Sequence, residues 1–338
     1  MSAELPSLSV VVAVSGRGDA SGRDYVARLA RLLSSLEKAV EGWRSSWLEV
    51  VVVDWNAVPD EPQLRDALRP PKGISLRVIE VPPESHQQVV QDLGRRFDEY
   101  AAKNVGVVRA RSKRVLVTNA DVLIRSDLLR FCLHAPLGDR AFVRADRYDF
   151  RVANSPALKA RSEQAGVFVV HKRHGILPGD PSSISVEPGV SARSWPRSRR
   201  TRGELGSSVI WGPRGGLPQH FIRGAHTNAS GDFICVSKAS WRRVGGCIED
   251  PSIWLHTDSL MVAQLLGANL RQVIYSKPGA LLHEDHARAP DEARGGGGAN
   301  WPAFLEAIQG IVDGSRSFRL NQGVFGLEEE ELPEYVIS

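Results

Sequence analysis

Apolar and polar positions fall into blocks along the first third of the chain. Leu8 to Ser15 (LSVVVAVS) is a nearly unbroken β-branched run, the pattern of a strand buried on both faces. Val26, Leu29, Leu33, Leu36 and Val40 then recur at 3/4 spacing, which predicts a helix opened by Asp24 and closed by Gly42. Glu49 to Asp54 (EVVVVD) and Leu76 to Val81 predict two further strands, the second stopped by Pro82 and Pro83. Val90, Leu93, Phe97, Ala101 and Val108 predict one amphipathic helix. Asn104 is a lone polar residue on its apolar face, either a hydrogen-bonded core residue or one that points to where the strand ends converge. Lys113 to Thr118 (KRVLVT) predicts a fourth strand running into Asn119-Ala120-Asp121. Strands alternating with helices predict a mainly parallel sheet with right-handed crossovers. Ligands then belong beyond the carboxyl ends of the strands, at Ser15, Asp54 and Asn119 to Asp121.

The pattern weakens from about Phe150 to Arg223, a stretch rich in Ser, Pro, Gly and Arg in which Gly166 to His171 (GVFVVH) reads as a strand. Connections of this length are uncommon and serve as lids or binding loops. Order returns at Asn228 to Val244, which places Trp241 in a core helix. A helix is expected from Thr257 or Asp258 through Leu260, Met261, Leu265 and Ala268, then short strands at Gln272 to Tyr275 and Ala280 to His283. Gly295 to Gly298 reads as a linker, and Asn300 as the cap of a helix carrying Trp301, Phe304, Leu305, Ile308 and Val312. The acidic run Glu328 to Glu331 reads as solvated surface. The expected organisation is a first half over 1–125, a second half over 126–290 with a long loop near 172–223, and a helix and tail over 291–338.

Composition narrows the class. With 338 residues, 42% apolar and 24% charged, the chain is neither disordered, collagen-like nor a disulfide-stapled mini-protein. Lys plus Arg is 43 against 39 for Asp plus Glu, a net charge of +4 that is too small to imply a nucleic-acid partner. The excess is local: Arg193, Arg197, Arg199, Arg200 and Arg202 crowd the irregular middle segment, as a solvated loop or as a lid over a diphosphate or an anionic acceptor. Cys132, Cys235 and Cys247 have no metal-site spacing and read as small buried hydrophobes in a reducing compartment. No signal-peptide pattern and no run near the roughly 18 apolar residues of a membrane span is present. The expected location is cytoplasmic, with a peripheral membrane position left open.

A carboxylate at the end of a buried strand suits a hard divalent cation that bridges to phosphate oxygens. Asp121 stands at such a point, and the residues around it form an ordered series: Asp54 at a strand end, Asn104 and Gly106 on a helix, Asn119-Ala120-Asp121, Gly231 and Phe233, Gly245, Gly246 and Glu249, Thr257-Asp258, and His283 within His283-Glu284-Asp285-His286. Over about residues 7 to 286 this series resembles the nucleotide-sugar glycosyltransferases of the GT-A fold, in their family 2-like branch. The resemblance implies a Rossmann-like α/β fold: a mainly parallel sheet flanked by helices, followed by an acceptor-binding half. It implies a nucleotide-sugar donor (UDP- or GDP-linked) and a glycan or glycoconjugate acceptor. Asp54 and Asn104 are implied at the donor, Asn119 and Asp121 at the Asp-x-Asp position that holds Mn²⁺ or Mg²⁺, and His283 as a further metal ligand. By analogy of position, Ser15 and Arg17 contact the nucleotide. Asn119 stands where the family has its first Asp, Thr257 where it has Glu, and Ser15-Gly16-Arg17-Gly18-Asp19 replaces its Asn-rich turn.

The implied reaction is transfer of a sugar to a hydroxyl. A cation held by Asp121 and His283 would offset the charge that develops on the leaving diphosphate. Asp258, kept ionised by its helix N-terminus, is the candidate base of an inverting route, and His256 is the alternative beside it. Asp232 is the candidate at the acceptor, and Trp211, flanked by Gly212 and Pro213, the candidate stacking surface. A retaining transferase, a nucleotidyltransferase and a non-enzymatic binder of anionic polymers are the competing readings.

Overall fold

The computed structural model describes residues 6–15, 25–43, 47–91, 97–145, 147–152, 167–171, 175–178, 230–250, 257–275, 280–284 and 301–338. The β-branched runs form the centre of an eight-stranded sheet: β1 (Leu8–Val14), β2 (Leu48–Trp55), β3 (Ser75–Val81) and β4 (Arg114–Thr118). Further strands are β5 (Val122–Ile124), β6 (Ala141–Ala145), β7 (Arg147–Val152), β8 (Val167–His171), β9 (Gly175–Pro178), β10 (Phe233–Ser237), β11 (Arg271–Tyr275), β12 (Leu281–Glu284) and β13 (Glu334–Ile337). The large sheet runs in the order β11-β6-β10-β4-β1-β2-β3-β13. Its centre β4-β1-β2-β3 is parallel, as the alternation of strand and helix requires. β10 and β13 are antiparallel to their neighbours, and β11 is parallel to β6. A second sheet runs in the order β5-β12-β7-β8-β9, and its β5 precedes residue 126. β6, β10 and β11, which follow residue 125, join β1 to β4 in one sheet.

The described helices are α1 (Tyr25–Ala39), α2 (Leu64–Ala67), α3 (Pro83–Val90), α4 (Glu99–Arg109), α5 (Ser126–His134), α6 (Lys238–Val244), α7 (Thr257–Gly267) and α8 (Trp301–Asp313). The single helix expected from Val90 to Val108 is two. Pro83 starts α3 at its first turn, where a missing N–H costs nothing, and Gln91 ends it with a left-handed φ of 52°. Asp98 then caps α4 by accepting from the amides of Tyr100 and Ala101. No helix among the described residues is long and apolar enough to cross a membrane.

Alternate residues of each central strand feed two cores. Val11, Ala13, Val51 and Val53 face α4, α6, α7 and α8, whose contributions include Trp241, Leu260 and Ile308. Val10, Val12, Val50 and Val52 face α1 and α5, with Leu29, Leu36 and Leu128. The three cysteines are free and buried, and Trp241 is buried as expected. The acidic run lies at the surface as expected, with Glu328, Glu329 and Glu331 exposed, and two of its carboxylates have partners. Glu328 pairs with Arg242 at 2.6 Å, and Glu330 accepts from Ser85 Oγ at 2.6 Å. The residues after it pair as β13 along β3, held by Glu334 to the buried Arg77 at 2.6 Å.

Gly106 lets α4 lie directly on the sheet: a Cβ there would sit well inside contact distance of Val11 Cγ1 and 3.1 Å from Val53 Cγ2. In an open helix Gly106→Ala would stabilise by about 0.5–1 kcal/mol. Here overpacking against two buried β-branched residues costs about 1–3 kcal/mol, so the expected net result is a melting temperature lowered by a few degrees. Thermal unfolding of the variant checks this; an unchanged or raised value would contradict the packing.

Candidate functional site

From β1 the chain runs outward through β2 and β3, then returns to lay β4 on the other side of β1. The β4/β1 boundary is therefore the sheet's switch point, where open α/β sheets offer a crevice beyond the strands' carboxyl ends. Ser15 follows β1 there, and Asn119 to Asp121 follow β4.

Asp121 is brought against His283 because β12 pairs antiparallel with β5, setting His283 opposite Val122 and letting the Glu284 amide donate to the Asp121 carbonyl at 2.7 Å. His283 Nε2 lies 3.5 Å from Asp121 Oδ2. Arg28, a buried residue of α1, places Nη1 3.8 Å from the same oxygen, and the more exposed Arg31 one turn later binds Glu284 at 2.6 Å. Asp121 and His283 are one carboxylate and one imidazole, each suited to a divalent cation. Among the described residues no three metal-binding side chains converge. The pair fits a cation of the Mg²⁺ or Mn²⁺ kind, which takes one or two protein ligands and completes its shell with water and ligand oxygens.

Beside this pair, six side chains converge on the turn Ser230–Asp232 that precedes β10. Asp258, in the first turn of α7, accepts from Ser230 Oγ and the Gly231 amide, both at 2.9 Å, and from the Ser259 amide at 2.8 Å. Lys103, 1% exposed, donates to the Gly231 carbonyl at 2.9 Å, to Asn119 Oδ1 at 2.5 Å and to Glu99. Thr118 Oγ1 donates to the Asp232 carbonyl at 2.6 Å, and Arg144, fully buried in β6, donates to the carbonyls of Ser230 and Phe233. The Asp232 carboxylate accepts from Asn119 Nδ2 and from Arg147 Nη1, each at 3.0 Å. Loss of hydration pushes the Glu99 carboxyl above its ordinary range, with Lys103 opposing the shift and the nearby charges of Asp121 and Asp232 adding to it. Burial likewise pushes the Tyr100 phenol well up, and Asp258 is the largest charge it feels. Glu99, Tyr100, Asp121, Asp232 and Asp258 thus share one electrostatic neighbourhood.

Asn104 does not point into this crevice. It is fully buried; its Oδ1 accepts from the Cys247 amide at 2.8 Å, and its Nδ2 donates to the Cys247 carbonyl at 2.8 Å and Glu249 Oε1 at 2.7 Å. Its side chain clamps the turn after α6. Gly246 in that turn has φ of 72° and no room for a Cβ, which would come within 2.6 Å of Asn104 Oδ1. Asp54 and Ser15 do lie at the strand ends, both buried. Next to Asp54, Trp55 Nε1 donates to His86 Nδ1 at 2.7 Å, which leaves the His86 proton on Nε2. Arg17, Trp211, His256 and the Arg193–Arg202 cluster lie outside the described residues.

No protein-family model matches the chain, and no curated protein matches it. Solved structures with a similar trace include S. aureus TarS 1-349 in complex with UDP-GlcNAc, at 14% identity and a TM-score of 0.49 over 90% of this chain and 65% of that one. The mannosyltransferase PcManGT from Pyrobaculum calidifontis, in complex with GDP-Man and Mn²⁺, is similar at 14% identity and a TM-score of 0.45, over 91% and 70%. GalNAc-T7 with UDP, GalNAc and Mn²⁺ is similar at 12% identity and a TM-score of 0.49, over 90% and 48%. The chain spans 60–65% of TarS 1-349 and 48% of GalNAc-T7. These likenesses are distant, and the site stands on its own residues.

Lys103, Arg28, Arg144 and Arg147 belong to the site and carry little signal in the sequence. Glu99 and Lys103 read as an i,i+4 pair on a solvated face. The one available sign for Arg28 is its place beside Leu29 and four residues before Leu32, on a helix side that packs inward.

Glu249 offers a test of the clamp. Burial raises its carboxyl to about 7, although Asn104 and the Gly326 amide bond to it. A folded-state value above the unfolded one means stability that is complete below the ordinary carboxyl range and lost as pH rises through about 7. The melting temperature is expected to fall between about pH 4.5 and about pH 7, with this group contributing on the order of 3 kcal/mol. Glu249→Gln should flatten that fall; an unchanged pH profile in the variant would contradict the assignment.

Proposed function

We propose that the protein is a glycosyltransferase that moves a sugar from a nucleoside-diphosphate sugar, UDP- or GDP-linked, to a hydroxyl of a glycan or glycoconjugate. The observation that carries this reading is the meeting of Asp121 and His283 at the β4/β1 switch point, beside the turn held by Asp258. That crevice is where a parallel sheet receives a nucleotide, and a carboxylate–imidazole pair there suits a cation that in turn binds a diphosphate. The reading also rests on the ordered series of motifs from Asp54 to His283.

In this reading Asp121 and His283 would hold Mn²⁺ or Mg²⁺, which would supply positive charge against the departing diphosphate. Arg28 lies 3.8 Å from Asp121 and supplies a fixed positive charge on the same side of the crevice. Asp54 and Ser15 border the donor from the ends of β2 and β1, and Arg17 is assigned to contact the nucleotide. Asp258 takes the proton of the acceptor hydroxyl, in an inverting transfer. Three donors, Ser230 Oγ and the amides of Gly231 and Ser259, fix its orientation. Asp232 borders the acceptor side, and Trp211 is assigned to stack on the acceptor.

Two measurements test the proposal. UDP or GDP should raise the melting temperature with Mn²⁺ and not without it, by up to about 2.7 kcal/mol of added stability at a hundredfold excess over Kd. No response to either nucleotide would overturn the donor assignment. Asp258→Asn should lower sugar transfer by about 10²-fold or more while keeping the nucleotide response, because it removes the base and leaves an oxygen for Ser230 and Gly231. Near-wild-type transfer would remove Asp258 from its role.

A further inference from the structure

We propose that Asn119 is a positioning residue whose amide links the Lys103 ammonium to the Asp232 carboxylate, and that it is not a ligand of the cation. The inference rests on reading Asp121 and His283 as the cation pair.

The orientation of the amide follows from its partners. Lys103 can only donate, so it faces Oδ1, at 2.5 Å; an ionised Asp232 can only accept, so it faces Nδ2, at 3.0 Å. The oxygen that would bind a divalent cation is thus turned to an ammonium, and the nitrogen that replaces the family's second carboxylate oxygen has no lone pair to offer. Aspartate at 119 could not do this job. It would set one carboxylate directly against another, each needing a donor. The residue that looks like a depleted metal motif is the side chain that this contact requires.

The linker sits in a chain of bonds that crosses the molecule. Lys103 is anchored on α4 and has three acceptors: Glu99, Asn119 Oδ1 and the Gly231 carbonyl. Asp232 passes the connection to Arg147 on β7 of the second sheet, at 3.0 Å. Asp258 holds the other end of the same turn through Ser230 and Gly231. Asn119 is two residues before Asp121, so the bond from Nδ2 to Asp232 sets the spacing between the cation carboxylate and the turn that carries Asp258.

The test is an exchange of the two side chains. Asn119→Asp alone and Asp232→Asn alone each break the pairing. Together they rebuild it in reverse: Asp at 119 accepts from Lys103 and from the new amide, whose oxygen accepts from Arg147. Melting without nucleotide, Mn²⁺ affinity from the electron paramagnetic resonance of free Mn²⁺, and affinity for UDP and GDP with Mn²⁺ well below the melting temperature are measured for all three variants. Each single variant should melt about 3–6 °C lower, and the exchange should recover more than half of the combined loss. Asn119→Asp should gain no Mn²⁺ affinity and should lose about tenfold in nucleotide affinity while folded, a loss the exchange reverses. A purely structural role would leave the nucleotide affinity of the folded variant unchanged. Tighter Mn²⁺ binding by Asn119→Asp, additive melting losses in the exchange, or unchanged nucleotide affinity would each overturn the proposal. If the wild type binds neither nucleotide, the transferase reading falls, while the melting cycle still decides the linker.

Discussion

The buried ammonium of Lys103 is the constraint around which the site is arranged. Taking a cation out of water costs several kcal/mol unless acceptors surround it. Lys103 meets that demand with a carboxylate from its own helix, a side-chain amide from the end of β4 and a backbone carbonyl from the turn before β10. These segments are far apart in the chain, so satisfying one charge fixes three strand and helix ends relative to one another. Asp232, Arg147 and Asp258 extend the same logic to the second sheet and to α7. A crevice built this way is pre-organised, because its polar groups already hold their positions before any ligand arrives.

A second set of bonds closes the face opposite β1 and β2 on α4. Arg109 at the end of α4 donates to the carbonyls of Gly326, Leu327 and Glu330, and burial lowers its pKa from the ordinary guanidinium value. Asn321 bonds to both carbonyls of the turn after α6, at 2.7 Å to Gly245 and Cys247. Asn104 bonds to that same turn, and Glu249 accepts from Asn104 and from the Gly326 amide. The C-terminal segment therefore braces the helix that carries Lys103, and β13 extends the sheet with it. Structure far from the crevice supports the site through one helix.

Much of the frame was legible because strands buried on both faces leave continuous β-branched runs. LSVVVAVS, EVVVVD and KRVLVT each became a central parallel strand. The strand-end positions of Ser15, Asp54, Asp121 and His283 followed from that alternation, as did the helix start at Asp258. Periodicity was less informative where proline and capping cut across it, and so Val90 and Val108 fell on separate helices. β5 was missed because three residues leave no pattern, and β6 was missed although it is as long as β4. Polar residues were hardest to place. Asn104 stands on an apolar stripe and turns out to clamp a turn, whereas Lys103 beside it, and Arg144 in a strand, reach the site's turn through contacts more than 80 residues away along the chain. Glu328 and Glu330 read as solvated because their partners Arg242 and Ser85 come from distant elements. Local sequence reports burial better than it reports which donor meets which acceptor.

The central claim is that the β4/β1 crevice binds a nucleoside diphosphate through a cation on Asp121. Calorimetric titration of UDP and GDP into the protein with Mn²⁺, and with the cation chelated, compared between the wild type and Asp121→Ala, tests it most directly. The account predicts binding of one nucleotide with Mn²⁺, a loss of at least about tenfold on chelation, and no such difference in the variant. Equal binding by the wild type and the variant in the presence of Mn²⁺ would contradict it.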